Sequence, residues 1–571
     1  MEWKQDENDS KPGIYVSDID FGNGTRLSNI GKADIVVFVG ANNVGKSQIL
    51  RDISNNIRDG RDTVVIKNMI AFKSAIPYDQ LVQQVGHKDN MGHYYVMGKF
   101  IETANVPWQL SLNAMQNDTL LNLFVCTLDT EKRLTICYPA ETIARDGPKT
   151  HPIHYVAFNH SIRENLSDYF YRAFNKYIRP DKQYGKSIPL FILNELIDFG
   201  DKKFKDETER IDAYTDELNK NPQVQVQGDG IKSFIGILLY LILDFYRIYL
   251  IDEPEAFLHP PQAKVMGQMI GNLSCDGKQV FISTHSEHLI QGLLETAPDR
   301  VKIVRITREG NTNHAFILDT NDIRKFWSDP ILKYSNIMEG LFYKNVVLCE
   351  SDSDCRFYSI INDFMQREKG KYPETLFIPS GGKQRISVIM KALTSLGVDT
   401  KVIADFDVLN NKDVFKKVCE SCGINWDLIN KDYSDFYDEI GRQNGLSKMT
   451  KQAFLSLVQR MEKEKINEQY FSDEEVGQLK EALKGKSFWN ILKTSGINAL
   501  PAGQASRLFG EINEMAKEHQ LFIVPVGELE CFVKTVSRHG PLWVSRVLEK
   551  YSDLDGPAYD EVKKFIDALH L

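Results

Sequence analysis

The sequence predicts an α/β protein built mainly on parallel sheet, and three observations carry that expectation. Short apolar runs of strand character alternate with amphipathic helical stretches along most of the chain. A glycine-rich turn, Gly40-Ala41-Asn42-Asn43-Val44-Gly45-Lys46-Ser47, joins one such run to a helical stretch, and carboxylates stand just past the ends of several others.

In chain order, IVVFVG (35–40) reads as a strand and Lys46 to Ile57 as a helix that stops before the Asp59-Gly60 turn. Residues 62–140 hold strand-like runs, TVVIK, HYYVMG and LNLFVC. From 155 to 220 the pattern is helical and charged until NKNPQVQVQGDG breaks it. RIYLI (247–251), QVFIS (279–283) and VKIVRI (301–306) are further strands with helices between them. A second rhythm begins near 344. NVVLCE, TLFIPSGG and KVIADFD are its strands, DCRFYSIINDFMQ and RISVIMKALTSLG its helices, and LFIVPVGELE (521–530) restores a strand after a charged helical stretch. The expected domains are therefore 1–335 and 340–571, the second carrying a helical insertion at about 411–518.

The 571 residues amount to three or four domains at ~150 residues each. An apolar fraction of 42% and a charged fraction of 26% exclude wholesale disorder. With 69 basic and 78 acidic residues the net charge is −9, so any polyanion must be met locally rather than by bulk attraction. Lys401, Lys412, Lys416 and Lys417 form one such patch, whose plain reading is a solvated face. Of eight cysteines, Cys419 and Cys422 have CxxC spacing but no second pair at zinc spacing, so free thiols are expected. The N-terminus lacks an apolar segment. The most apolar run, Phe234 to Ile251, is broken by Asp244 and Arg247, which argues a buried helix and strand rather than a membrane span. A cytoplasmic protein without a membrane partner is expected.

GANNVGKS fits the phosphate-binding pattern G-x-x-x-x-G-K-[ST] in the strand-to-helix context that pattern requires. Gly40, Asn42, Asn43 and Gly45 would wrap phosphate oxygens with main-chain amides. Lys46 would reach the β and γ phosphates, and the Ser47 hydroxyl would bind Mg²⁺. Downstream, IYLI-Asp252-Glu253 is an apolar strand ending in two carboxylates, a metal-holding Asp252 and a general-base Glu253. His285, in STHS at another strand end, could sense the γ-phosphate. Gly228-Asp229-Gly230-Ile231-Lys232-Ser233 opens a helix and offers a further phosphate-binding element, with Gly230 and Lys232 as its contacts. In this order the motifs resemble the ATP-binding-cassette ATPases of the SMC and recombination-repair type. That resemblance implies a dimer with ATP held between one subunit's phosphate loop and the other's signature helix, although GDGIKS departs from the usual LSGGQ. Gln48 and the glutamines near 80–84 are both candidates for the Q-loop.

The second half carries a different set of acids. Glu350 stands just past NVVLC, Asp354 starts the following helix, and Asp405 and Asp407, two apart, occupy one face of the KVIA strand and its extension. Such carboxylates at one sheet edge form a hard-oxygen site for Mg²⁺ or Mn²⁺, able to support phosphodiester cleavage. Glu528 and Glu530, two apart on a strand end, could complete a second metal site. The set resembles a Toprim domain: Glu350 matches its glutamate, Asp405 and Asp407 its Asp-x-Asp, and Asp354 and Glu530 the acids of its nuclease branch. A cassette ATPase followed by Toprim resembles the OLD (overcoming lysogenization defect) nucleases.

This resemblance implies an ATP-binding, metal-dependent endonuclease acting on DNA, or on RNA, with catalytic Glu253, Glu350, Asp405 and Asp407. It implies a homodimer or higher oligomer and a role in bacterial antiphage defence, with partners that include retron reverse transcriptases and their RNA–DNA. It also implies a basic residue near the end of the site, for which Lys534 and Lys550 are candidates. The competing reading is an ATP-dependent repair or tethering scaffold with a degenerate Toprim. A degenerate site should lack one of its strand-end acids, and none is missing.

Overall fold

The computed structural model describes residues 1–6, 13–58, 63–74, 87–88, 94–96, 99–101, 124–144, 147–243, 245–275, 277–310, 312–318, 336–372, 374–443, 451–464, 476–477, 479, 487–536 and 539–571. The chain falls into two compact units, Met1–Lys333 and Tyr334–Leu571.

The first unit is organised by a six-stranded sheet. Its strands are β1 (Ile35–Val39), β2 (Val125–Leu128), β3 (Ile248–Asp252), β4 (Gln279–Ser283), β5 (Val301–Glu309) and β6 (Thr312–Ile317), in the order β6-β5-β1-β4-β3-β2. All neighbours are parallel except the terminal β5–β6 pair. β1 is apolar and buried at every residue, as a central strand covered on both faces must be. The helix that follows it, α1 (Lys46–Arg58), buries Ile49, Leu50, Ile53 and Ile57, one face at helical spacing. That face joins a core with Phe38 and Phe281 of the main sheet and Val16, Ile19 and Phe21 of a second sheet. The second sheet has the order Glu2–Asp6, Ile66–Ser74, Ile14–Phe21, Arg26–Leu27.

A short helix, α2 (Thr130–Thr135), follows β2, capped by the Asp129 carboxylate, which accepts from the Lys132 amide. The continuous helical stretch expected over 155–220 is not what forms. Helices Pro152–Phe158 and His160–Phe174 give way to an antiparallel pair, Tyr177–Pro180 with Leu190–Leu193, before the helix Glu207–Leu218. The helix ends at Asn175, whose left-handed conformation (φ 53°) reverses the chain, and LFIL, buried at all four positions, is long enough for a strand but not a helix. Next comes α3 (Asp229–Leu241), buried at every position from Ser233 to Leu241. The apolar run 234–251 is thus a core helix leading into β3. Among the described residues no helix is long and apolar enough to cross a membrane.

The second unit has a four-stranded, all-parallel sheet. Its strands are β7 (Asn345–Cys349), β8 (Thr375–Pro379), β9 (Thr400–Ala404) and β10 (Leu521–Ile523), in the order β8-β7-β9-β10. α4 (Asp352–Glu368) and α5 (Lys383–Ser395) make the crossovers. Between β9 and β10 lie a 3₁₀ turn (Phe406–Asn410), helices Lys412–Ser421, Trp426–Gln443 and Lys451–Glu464, α6 (Phe488–Ser495) and helix Gln504–Glu518. Parallel topology brings the C-terminal ends of β7, β9 and β10 to one edge, the usual place for a site in such sheets.

Three local expectations fail here. The strand read over 521–530 ends at Ile523, because Pro525 cannot donate to a ladder and Gly527 turns the chain (φ 110°). Glu528 and Glu530 therefore stand at a 3₁₀ turn, Leu529–Val533, not on a strand end. Asp407 likewise lies in the Phe406–Asn410 turn rather than on an extension of β9. Lys401 is no surface lysine: it is buried within β9, its Nζ 3.8 Å from Asp399. Cys419 and Cys422 are free thiols, and burial pushes the Cys422 thiol up to about 12, so it stays protonated.

Candidate functional site

In the first unit, Gly40 leaves β1 at φ 145°, and a Cβ there would lie 2.2 Å from the Ile306 carbonyl oxygen. Only glycine lets the loop leave the sheet at this point. Lys46 is buried, and its Nζ donates to the carbonyls of Gly40 (2.9 Å) and Ala41 (2.8 Å). Desolvation draws its pKa down, opposed by the charges of Glu253, Glu255 and Asp252. Asn42 and Asn43 are exposed at the tip of the loop. Asn313 on β6 donates to the Val44 carbonyl at 2.5 Å and so holds the loop from behind.

Asp252 and Ser283 end neighbouring strands in register, which delivers the Asp252 carboxylate to the start of α1. Its Oδ1 accepts from the Ser47 hydroxyl (2.8 Å) and from the Ser283 hydroxyl. A carboxylate and a hydroxyl converging at a phosphate-type loop form a hard-oxygen donor set that suits Mg²⁺. Glu253 follows in the left-handed region (φ 46°), its amide donating to the Ser283 carbonyl at 2.9 Å. His285 Nδ1 lies 3.5 Å from Glu253 and 3.4 Å from Glu255.

Glu255 was not singled out from the sequence, although it is the third acid of Asp-Glu-Pro-Glu. It is buried, and one oxygen accepts from the Thr284 hydroxyl (2.7 Å) and the His285 amide (3.0 Å) while the other has no hydrogen-bond partner. Burial raises its pKa. Glu255 thus fixes the loop that carries His285. Within GDGIKS, a Cβ on Gly230 would lie 2.5 Å from the Phe257 carbonyl oxygen, and Lys232 Nζ pairs with Asp229 at 2.8 Å. Gln48 donates to Asp52 within α1, and Gln80, Gln83 and Gln84 lie outside the described residues.

In the second unit the acids do converge. Glu350, the residue after β7, accepts the Asp405 amide on Oε1 at 3.0 Å, which binds the ends of β7 and β9 together. Asp354 accepts the Ser351 amide at 2.8 Å while Ser351 Oγ accepts the Asp354 amide, a reciprocal cap that fixes the start of α4. Asp407 has one oxygen 2.8 Å from Lys383 and the other 3.5 Å from Lys493, which is also 3.5 Å from Glu528. Glu530 accepts the Gly540 amide at 2.8 Å, with His539 Nδ1 at 3.5 Å. Glu528, Glu530 and His539 each offer a ligand atom within 4.8 Å of the others.

The electrostatics test whether this set fits a cation. Burial, then the Asp407 charge, pushes the Glu350 carboxyl up to about 7. Burial and the neighbouring acids hold Asp405 well above the ordinary aspartate range. Asp354 is also raised, by burial first and then by Glu530 and Glu528. Two lysines do not compensate this charge, and further positive charge on oxygen ligands would. The donors therefore fit divalent cations. Lys534 and Lys550 are exposed, and Lys550 donates to the Thr535 carbonyl and lies over Tyr551. Among the described residues, the lysines that reach the acids are Lys383 and Lys493, neither singled out from sequence. Lys383 follows the Ser380-Gly381-Gly382 turn, a signal that could have found it. Lys493, on a helix of the insertion, carries no such signal.

A P-loop ATPase unit and a Toprim-type acidic unit in one chain define an ATPase–Toprim protein, a class that uses a nucleotide and a divalent metal. Residues 171–290 match the AAA ATPase domain family, and residues 341–407 match the TOPRIM domain of overcoming lysogenization defect protein-like sequences. Together the two matches give the chain the ATPase-then-TOPRIM arrangement and a likeness to OLD-type proteins. The Old nuclease of Escherichia phage P2 is 24% identical over 183 residues, a match spanning 30% of this chain and 30% of that protein. Among solved structures, the SMC head bound to the C-winged helix domain of ScpA aligns at 13% identity over 55% of this chain and 99% of its own, with a TM-score of 0.32. The SMC head domain from Thermotoga maritima aligns at 12% identity over 54% and 99%, with a TM-score of 0.28.

Proposed function

We propose that this protein binds and hydrolyses ATP in its first unit and cleaves phosphodiester bonds of DNA, with Mg²⁺ or Mn²⁺, in its second. The observation that carries the reading is the undercompensated carboxylate cluster of Glu350, Asp354, Asp405 and Asp407 at one sheet edge. Glu350, Asp405 and Asp407 would hold one cation, and Asp354 and Glu530, with Glu528 beside them, a second. Such cations supply Lewis acidity and an activated water. Lys383 and Lys493 would bind the phosphate and balance the acids around it.

In the first unit Gly40 to Ser47 would cradle the ATP phosphates, with Ser47 and Asp252 at the metal. Glu253 would take the proton of the attacking water, and His285 would contact the γ-phosphate. Gly230 and Lys232 would serve the nucleotide of a partner copy in a homodimer. In this reading nucleotide state gates the nuclease, and the protein is the cytoplasmic, toxic effector of an antiphage system held by a partner such as a retron reverse transcriptase with its RNA–DNA.

The test is cleavage by the purified chain with Mg²⁺ or Mn²⁺. Asp405→Ala should abolish cutting and spare ATP turnover, whereas Lys46→Ala should impair nucleotide binding first. A chain that cuts no DNA of any topology refutes the DNA reading; cutting of RNA alone would reassign the substrate.

A further inference from the structure

Arg133, in α2, is fully buried beneath the Asp252-Glu253 turn. Nη1 donates to the Asp252 carbonyl at 2.5 Å and to the Glu253 carbonyl at 3.2 Å, Nη2 donates to the Thr130 hydroxyl at 3.1 Å, and Nε has no hydrogen-bond partner. Burying a guanidinium is costly, and capping two carbonyls does not by itself require a charge. The turn it caps is strained: Glu253 sits at φ 46° and Phe257, four residues on, at φ 69°. Non-glycine residues persist there only where the surroundings enforce it. The Arg133 main chain also abuts α3. A Cβ on Gly236 would lie 2.2 Å from the Arg133 carbonyl oxygen, and Cys137 Sγ donates to the Lys232 carbonyl at 3.2 Å. One short helix therefore touches the acidic turn with a side chain and the GDGIKS helix with its backbone.

We propose that Arg133 is a positioning residue for hydrolysis: it clamps the Asp252 and Glu253 carbonyls, holds Glu253 in its left-handed turn, and couples that turn to α3. The inference rests on the ATPase reading above, since the group being aimed is the base of that reaction.

The experiment compares the full-length wild type with Arg133→Met and Arg133→Lys. Hydrogen exchange in the nucleotide-free protein reads the turn itself: in Arg133→Met the amides of 252–258 should exchange faster, while those of β1 and α1 keep their protection. With ATP, kcat should fall about 100-fold with KM within about threefold, because misplacing a reacting group costs rate rather than binding. Arg133→Lys, which keeps the charge and a single donor nitrogen, should recover part of both effects. Wild-type exchange over 252–258 in Arg133→Met, or a parallel loss of protection in β1 and α1, would overturn the proposal. If Arg133→Met does not fold, Arg133→Lys decides by the same two readouts. Absence of turnover in the wild type would instead refute the ATPase reading and leave the exchange result to judge the clamp.

Discussion

Glu350→Gln tests whether the acidic cluster stores unfavourable charge. The carboxyl of Glu350 rises from the ordinary 4.5 to about 7, with burial the largest cause and Asp407 the next. The sign follows from proton binding. Between those two values the unfolded chain has released the proton and the folded chain has kept it, so stability falls as pH rises from 4.5 to about 7 and stays lowered above that. At about 1.4 kcal/mol for each tenfold step, the rise corresponds to about 3 kcal/mol at pH 8. Glutamine retains the oxygen that accepts the Asp405 amide and removes the charge. The metal-free Glu350→Gln protein should therefore match the wild type near pH 4.5 and exceed it at pH 8. For a unit of this size the gap is roughly 5–10 °C in the melting of the second unit. Calorimetry of the full chain in EDTA between pH 4.5 and 8.5 measures it. Added Mg²⁺ should raise the wild type most at high pH, since protons compete for the same carboxylates. A wild type that melts no lower than Glu350→Gln at pH 8 would show that the cluster carries no stored repulsion, and the case for a cation site would fall with it.

Two further predictions follow from named contacts. Lys383→Met and Lys493→Met each remove positive charge from Asp407, so divalent-cation affinity should rise roughly tenfold, equivalent to about 1.4 kcal/mol, while cleavage falls. Isothermal titration with Mn²⁺ reads the affinity, and weaker binding would mean that the lysines organise the ligands rather than compete with metal. Glu255→Ala leaves the Thr284 hydroxyl and the His285 amide without their acceptor and should cost about 2–4 kcal/mol, read as a lower urea midpoint. An unchanged midpoint would show that the His285 loop is held by other contacts.

What could be read from sequence divides along a physical line. The phosphate loop, the Asp252-Glu253 pair and the acids after β7 and β9 are local patterns: an apolar run, then a carboxylate or glycine where the strand must end. Their placement follows from parallel topology alone. Arg133 and Lys493 act on groups that no local pattern ties to them, and no spacing rule connects a helix residue to the carbonyls of a strand end more than a hundred residues on. The turn at Asp407 escaped for a related reason. Strand extension would be the local expectation, but Phe406 turns into the core and packs on Phe509 with ring centroids 5.0 Å apart, which winds the chain into a 3₁₀ turn.

That packing changes the meaning of the insertion. Phe509 also packs on Phe436, which meets Trp489, so three of its helices share one aromatic cluster with the turn that carries Asp407. Tyr433 donates to the Leu409 carbonyl at 2.9 Å and pins the far end of the same turn. From α6, beside Trp489, comes Lys493, the cation that links Asp407 to Glu528. The insertion is therefore the wall of the acidic site. It sets the position of one carboxylate through aromatic packing and supplies the charge that joins the acids after β9 to those after β10. A protein of net charge −9 can in this way meet a polyanion locally: Lys383 and Lys493 stand inside the acidic cluster, and bound cations would supply the positive charge that these two lysines leave uncompensated.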